Sequence, residues 1–86
     1  MITLNNTEIT EKVIQTIRET ATVKVDQIDE RADLRTNYGI DSLTFVEVVG
    51  LLEQEFNIQF DTAMLMYDNF STVEKIVQIV LQKMND

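Results

Sequence analysis

The chain has neither cysteine nor histidine, and the two absences together remove most of the ordinary means of catalysis. No disulfide can form, no thiolate can attack, and the imidazole base and usual zinc ligands are missing. Carboxylates, lysines and hydroxyls alone are a poor kit for an enzyme. Proline and tryptophan are absent, and the only glycines are Gly39 and Gly50. Neither sits in the Asp-x-Asp-x-Asp-Gly context of a calcium loop, so no metal site is expected. No apolar run approaches the roughly 20 residues of a membrane span, and the first residues lack the basic-then-apolar order of a secretory signal. A cytoplasmic location is the default expectation.

What is present bounds the answer further. A hydrophobic fraction of 44% in 86 residues calls for folding, and the length allows a single domain over 1–86. Fifteen Asp and Glu against seven Lys and Arg give a net charge of −8, which repels nucleic-acid phosphates and anionic lipid. Basic protein partners are the natural counterpart. Solubility alone would explain such an excess equally well.

Hydrophobic spacing predicts a helix over 7–21, with Ile9, Val13, Ile14, Ile17 and Ala21 on one face and Glu8, Glu11, Lys12, Gln15, Arg18 and Glu19 on the other. A last helix is predicted from Ser71, paired with Glu74 as a capping box, through Val73, Ile76, Val77, Val80, Leu81 and Met84. Between the first helix and Ile40, nearly twenty residues show no sustained period. Either the segment wraps the core, pinned by Val25, Ile28, Leu34 and Tyr38, or it hides an element; the wrap is the preferred reading. Residues 60–69 favour a short helix opened by Asp61.

The second long helix is predicted over 42–56, with Asp41 as N-cap, Thr44 at the box position and Ile40 with Phe45 as a hydrophobic staple. Phe45, Val48, Val49, Leu52 and Phe56 form its buried stripe. The same projection throws Leu43 and Val46 to the opposite side, beside Glu47, Gly50 and Gln54. Either Leu34 or Tyr38 folds over them, or they form an apolar docking surface ringed by carboxylates. Ser42 stands in the first turn, where free N–H groups and the positive end of the helix dipole favour a phosphate. Plain capping is the commoner use of an Asp-Ser pair.

The stretch Tyr38-Gly39-Ile40-Asp41-Ser42-Leu43-Thr44-Phe45-Val46-Glu47-Val48-Val49, with Leu52-Glu53-Gln54-Glu55-Phe56-Asn57-Ile58 after it and Asp68-Asn69-Phe70-Ser71-Thr72-Val73 further on, resembles the acyl carrier protein family. The resemblance covers residues 9–81. It implies an all-α, small four-helix bundle with a long first loop and a short third helix. It also implies a non-catalytic carrier that holds acyl intermediates as thioesters on a 4′-phosphopantetheine arm, derived from coenzyme A and attached to Ser42. Asp41, Leu43, Val46 and Glu47, with Glu53 close by, would meet partners: a phosphopantetheinyl transferase, and acyl-loading and acyl-processing enzymes with basic docking surfaces. A monomer is expected.

Phe60 stands where the family often has proline, Gly50 where it has a larger apolar residue, and Gln54 where many fatty-acid carriers have an acid. Fatty-acid, polyketide and nonribosomal peptide biosynthesis all remain compatible, with a mild lean to a specialised pathway. Phe45, Val48, Met64, Met66 and Phe70 either line a cleft for a short acyl chain or simply fill the bundle. The rival reading is a non-catalytic helical protein-interaction module in which Asp41-Ser42 is only a cap.

Overall fold

The computed structural model describes residues 5–22 and 26–85, so the expected anchor Val25 lies outside the described residues. Helix α1 spans Asn6–Thr20, α2 Leu34–Tyr38, α3 Ser42–Phe56 and α4 Val73–Met84, with two 3-10 turns, Thr62–Met64 and Tyr67–Asn69, between α3 and α4. No strand occurs among the described residues. The all-α class and four helices match expectation, but the short helix belongs to the first loop.

Each long helix follows from its stripe and its cap. Asn5 opens α1 by accepting the Glu8 N–H, and Ile9, Val13 and Ile17 are fully buried. Thr16 and Thr20 share that buried face because their hydroxyls donate to the Lys12 and Thr16 carbonyls one turn back, at 3.0 and 2.9 Å. α1 packs against both α3 and α4, closing a core with Val48, Leu52 and Phe56 from α3 and Val73, Ile76 and Val80 from α4.

The first loop wraps this core, yet it also contains α2. Five residues are too few to display a helical period, but both ends are marked. The Asp33 carboxylate accepts the Arg35 and Thr36 N–H groups, and Gly39 ends the turn in the left-handed region (φ 68°), open to glycine at no steric cost. Leu34 and Tyr38 are buried, with the Tyr38 hydroxyl accepting the Asp29 N–H at 2.8 Å. Backbone bonds from Leu34 N–H to the Ser71 carbonyl and from Glu74 N–H to the Glu30 carbonyl stitch the loop to the start of α4.

The short α-helix expected over 60–69 is instead the pair of 3-10 turns. Asp61 makes no capping bond and lies 3.5 Å from the Lys83 ammonium, while Ala63 and Met66 face solvent. With no cap and no continuous buried stripe, a longer α-helix has nothing to hold it. The cap of α4 also moves by one residue: Thr72 accepts the Lys75 N–H, whereas Ser71 is buried and donates to the Asp68 carbonyl.

Gly50 lies mid-α3 with a helical backbone and no atom within 4 Å of where a Cβ would stand. Gly50→Ala is therefore expected to stabilise the fold by about 1 kcal/mol, and so to raise the melting temperature by roughly 4–8 °C. A lowered melting temperature would show that the position is not the open helix site described.

Candidate functional site

The start of α3 is set from both sides. Ile40 is buried beneath it, and the Gly39 turn two residues earlier aims the chain so that Asp41 takes the extended conformation of an N-cap. Its carboxylate accepts the Thr44 N–H at 2.9 Å, and its carbonyl accepts the Phe45 N–H at 2.8 Å. Ser42 is the first helical residue and is exposed. The capping bonds run to Asp41, so the Ser42 hydroxyl is not used in starting the helix.

The chain has two serines, and they differ in what can reach them. Ser71 is buried under the loop with its hydroxyl donated at 3.3 Å. Ser42 is open, and beside it Leu43 and Val46 are 83% and 68% exposed. The loop does not fold over them: Leu34 and Tyr38, the residues that would have done so, are in the core. Leu43, Val46, Glu47 and Gly50 thus share one exposed face of α3, with the exposed Asp41 just ahead of the helix. Glu53, further along, is half-buried, and its carboxylate accepts the Phe60 N–H at 2.9 Å, tying α3 to the chain that follows it.

On the other side of α3, Phe45 is half-buried, its ring edge-on to Tyr67 at 6.2 Å and tilted against Phe70 at 5.4 Å; Phe70 meets Phe60 edge-on at 5.2 Å. The Tyr67 hydroxyl donates to the Asp33 carboxylate at 2.8 Å and accepts the Arg35 N–H at 2.9 Å, while the Arg35 guanidinium lies 4.0 Å above the ring. Partial burial pushes the Tyr67 hydroxyl above the ordinary phenol range, helped by Asp33. Residue 67 stands too far along the chain from 33 and 35 for any local pattern to pair it with them.

Asp41 and Asp33 both sit below the ordinary carboxylate value of 3.8, held there chiefly by backbone N–H donors, those of Thr44 and Thr36 respectively; Tyr67 adds to the second. Folding thus favours their ionised forms. The stability they give is complete above the ordinary value and is lost as pH falls through the lower folded values. Acid also relieves the repulsion within a chain of net charge −8, so the two effects oppose. Asp33→Asn and Asp41→Asn separate them: in urea melts, each variant should lose less stability than wild type between about pH 5 and about pH 3. Identical losses would mean that neither carboxylate is bonded as described.

No helix of the described residues is long and apolar enough to cross a membrane, and they contain no group of three or more acidic side chains arranged to hold a metal ion.

The family described as "Phosphopantetheine attachment site" matches residues 11–80. An acyl carrier protein of Saccharopolyspora erythraea is 33% identical over 78 residues, covering 91% of this chain and 80% of that one. One from Thermotoga maritima is 38% identical over 77 residues, covering 90% and 93%. Orsellinic acid synthase ArmB of Armillaria ostoyae is 31% identical over 74 residues, which are 85% of this chain and 3% of the synthase. A helical bundle with an exposed serine at a capped helix start agrees with these matches, and the bare interaction module does not account for them. The chain belongs to the phosphopantetheine-attachment family as an acyl carrier protein, a carrier and not a catalyst, whose cofactor is covalent 4′-phosphopantetheine.

Proposed function

We propose that Ser42 is the attachment residue, that a phosphopantetheinyl transferase loads it, and that Asp41, Leu43, Val46 and Glu47 form the surface on which basic partner enzymes dock. One observation carries this: of the two serines, Ser42 alone is open to another protein, and the capping work beside it is done by Asp41. In loading, a bond forms between Ser42 Oγ and the phosphorus that bears the pantetheine. The pyrophosphate bond of coenzyme A breaks, adenosine 3′,5′-bisphosphate leaves, and the serine proton passes to a base. With no histidine in this chain, that base belongs to the transferase. The arm supplies the thiol that the polypeptide lacks.

Because Asp41 caps α3 independently of Ser42, the helix start is formed before any phosphate arrives, and the hydroxyl is presented on a rigid element. Leu43 and Val46 give a visiting enzyme apolar area, and Glu47 adds a charge of the sign that basic partners seek. Tethering then raises the local concentration of the cargo at each active site visited.

The test is to incubate the purified protein with coenzyme A, magnesium and a promiscuous phosphopantetheinyl transferase and to weigh the product. Wild type should gain one phosphopantetheine; a folded wild type that gains nothing would end the reading. Glu47→Lys should keep the fold and slow loading by roughly tenfold at low salt, with the deficit shrinking as salt rises. A salt-independent rate equal to wild type would take Glu47 out of the docking surface.

A further inference from the structure

We propose that Arg35 is the counter-ion of the arm: with the face of its guanidinium kept on the Tyr67 ring, it turns its edge N–H groups to the phosphodiester formed at Ser42. The inference rests on Ser42 as the attachment residue. A bare helix start would receive that phosphate on its free N–H groups and at the positive end of its dipole. This one already holds an anion. The Asp41 carboxylate accepts the Thr44 N–H at 2.9 Å and the Asp41 carbonyl accepts the Phe45 N–H at 2.8 Å, so these donors are used by the helix's own cap. A phosphodiester on the next residue adds negative charge beside an ionised carboxylate, in a chain of net charge −8. It calls for a cation.

The other described cations are engaged or lie elsewhere. Lys12 pairs with Glu55 at 2.7 Å, Arg31 pairs with Glu74 at 3.3 Å, and Lys83 lies 3.5 Å from Asp61. Arg18 donates to the Asp26 carbonyl at 3.4 Å, and Lys75 stands in the first turn of α4. Arg35 is exposed, and among the described residues no carboxylate is within ion-pair distance of it. It is tied to the start of α3 from both of its ends. On the backbone side, the carbonyl of Leu34, just before it, accepts the N–H of Ile40, two residues ahead of Ser42, at 3.2 Å. On the side-chain side, the guanidinium lies 4.0 Å over the Tyr67 ring, which meets the ring of Phe45, three residues beyond Ser42, at 6.2 Å. Stacking occupies only the face of a guanidinium; the fork of donors in its plane stays open and suits phosphate oxygens. The ring beneath is itself fixed, its hydroxyl donating to Asp33 at 2.8 Å and accepting the Arg35 N–H at 2.9 Å. The cation is thus held ready before the arm arrives.

The experiment compares the unloaded protein with the form that the transferase makes from coenzyme A. In nitrogen NMR of the arginine side chains, loading should move the Arg35 Nε–H signal and slow its exchange with water, while those of Arg18 and Arg31 stay in place. This readout needs no variant. The phosphorus resonance of the arm should differ between loaded wild type and loaded Arg35→Gln, a change that leaves the backbone N–H bonded to Tyr67. On loading, the melting temperature of wild type should change more favourably than that of Arg35→Gln by on the order of 2–4 °C at low salt, the gap closing as salt rises. Arg35→Lys keeps the charge without the fork and should retain part of the gap. An Arg35 signal indifferent to loading, or a phosphorus resonance indifferent to Arg35→Gln, would overturn the inference. So would an Arg35→Gln protein that loads slowly yet matches loaded wild type in resonance and melting shift, since the arginine would then serve the transferase and not the arm. A wild type that takes up no arm would instead remove the attachment reading, and this inference with it.

Discussion

Replacing Ser42 with alanine is expected to abolish phosphopantetheine loading while moving the melting temperature by no more than a few degrees. The two halves of that result have separate causes. Loading fails because the nucleophilic oxygen is gone, and Ser71, the other serine, is buried with its hydroxyl donated to the Asp68 carbonyl. Stability survives because α3 is capped by Asp41, not Ser42. Alanine is the better helix former by about 0.5 kcal/mol, and Ser42 is exposed, so no packing is lost. Asp41→Ala provides the contrast: the hydroxyl stays while the cap and one docking carboxylate go, so the variant should melt lower than wild type and accept the arm, but more slowly. Intact mass and a thermal melt decide both. A mass gain in Ser42→Ala would place the arm on another residue, and a large stability loss would mean that the serine is part of the cap after all.

What the sequence revealed and what it hid divide along a physical line. α1, α3 and α4 were legible because each runs for at least three turns, long enough for a 3.6-residue stripe to stand out, with α3 marked by Asp41. Leu43 and Val46 were recognisable as off-stripe by angle alone, and they are the two most exposed large hydrophobic residues among those described. α2 was missed because five residues complete little more than one turn, too few for a helical stripe to show. The segment over 60–69 misled because Ala63, Met64, Leu65, Met66 and Tyr67 together favour a short helix, whereas Ala63, Leu65 and Met66 are exposed. Glu53 lies on α3, but where its carboxylate goes is settled by the Phe60 N–H seven residues on, which it accepts. The two hydrogen bonds of the Tyr67 hydroxyl join residues 32 and 34 positions apart, a pairing that only the folded chain makes.

Phe70→Ala should be the most damaging of the core truncations. Phe70 is among the largest fully buried side chains and the hub of the aromatic group, with Phe45 at 5.4 Å on one side and Phe60 at 5.2 Å on the other. Truncating a buried phenylalanine costs about 3–5 kcal/mol through lost burial and the void left behind, and two ring contacts disappear with it. A domain of this size has only on the order of 4–13 kcal/mol to lose. The melting temperature should therefore fall by roughly 12–40 °C, with part of the population unfolded at room temperature if the wild type lies at the weak end of that range. Phe70→Leu, which keeps most of the volume, should lose far less. The site should fare differently from the core: at a temperature where Phe70→Ala is still folded, Ser42, Asp41 and the exposed α3 face remain in place, so loading should proceed near the wild-type rate. A melting temperature within a few degrees of wild type would mean that Phe70 does not hold the centre of the packing.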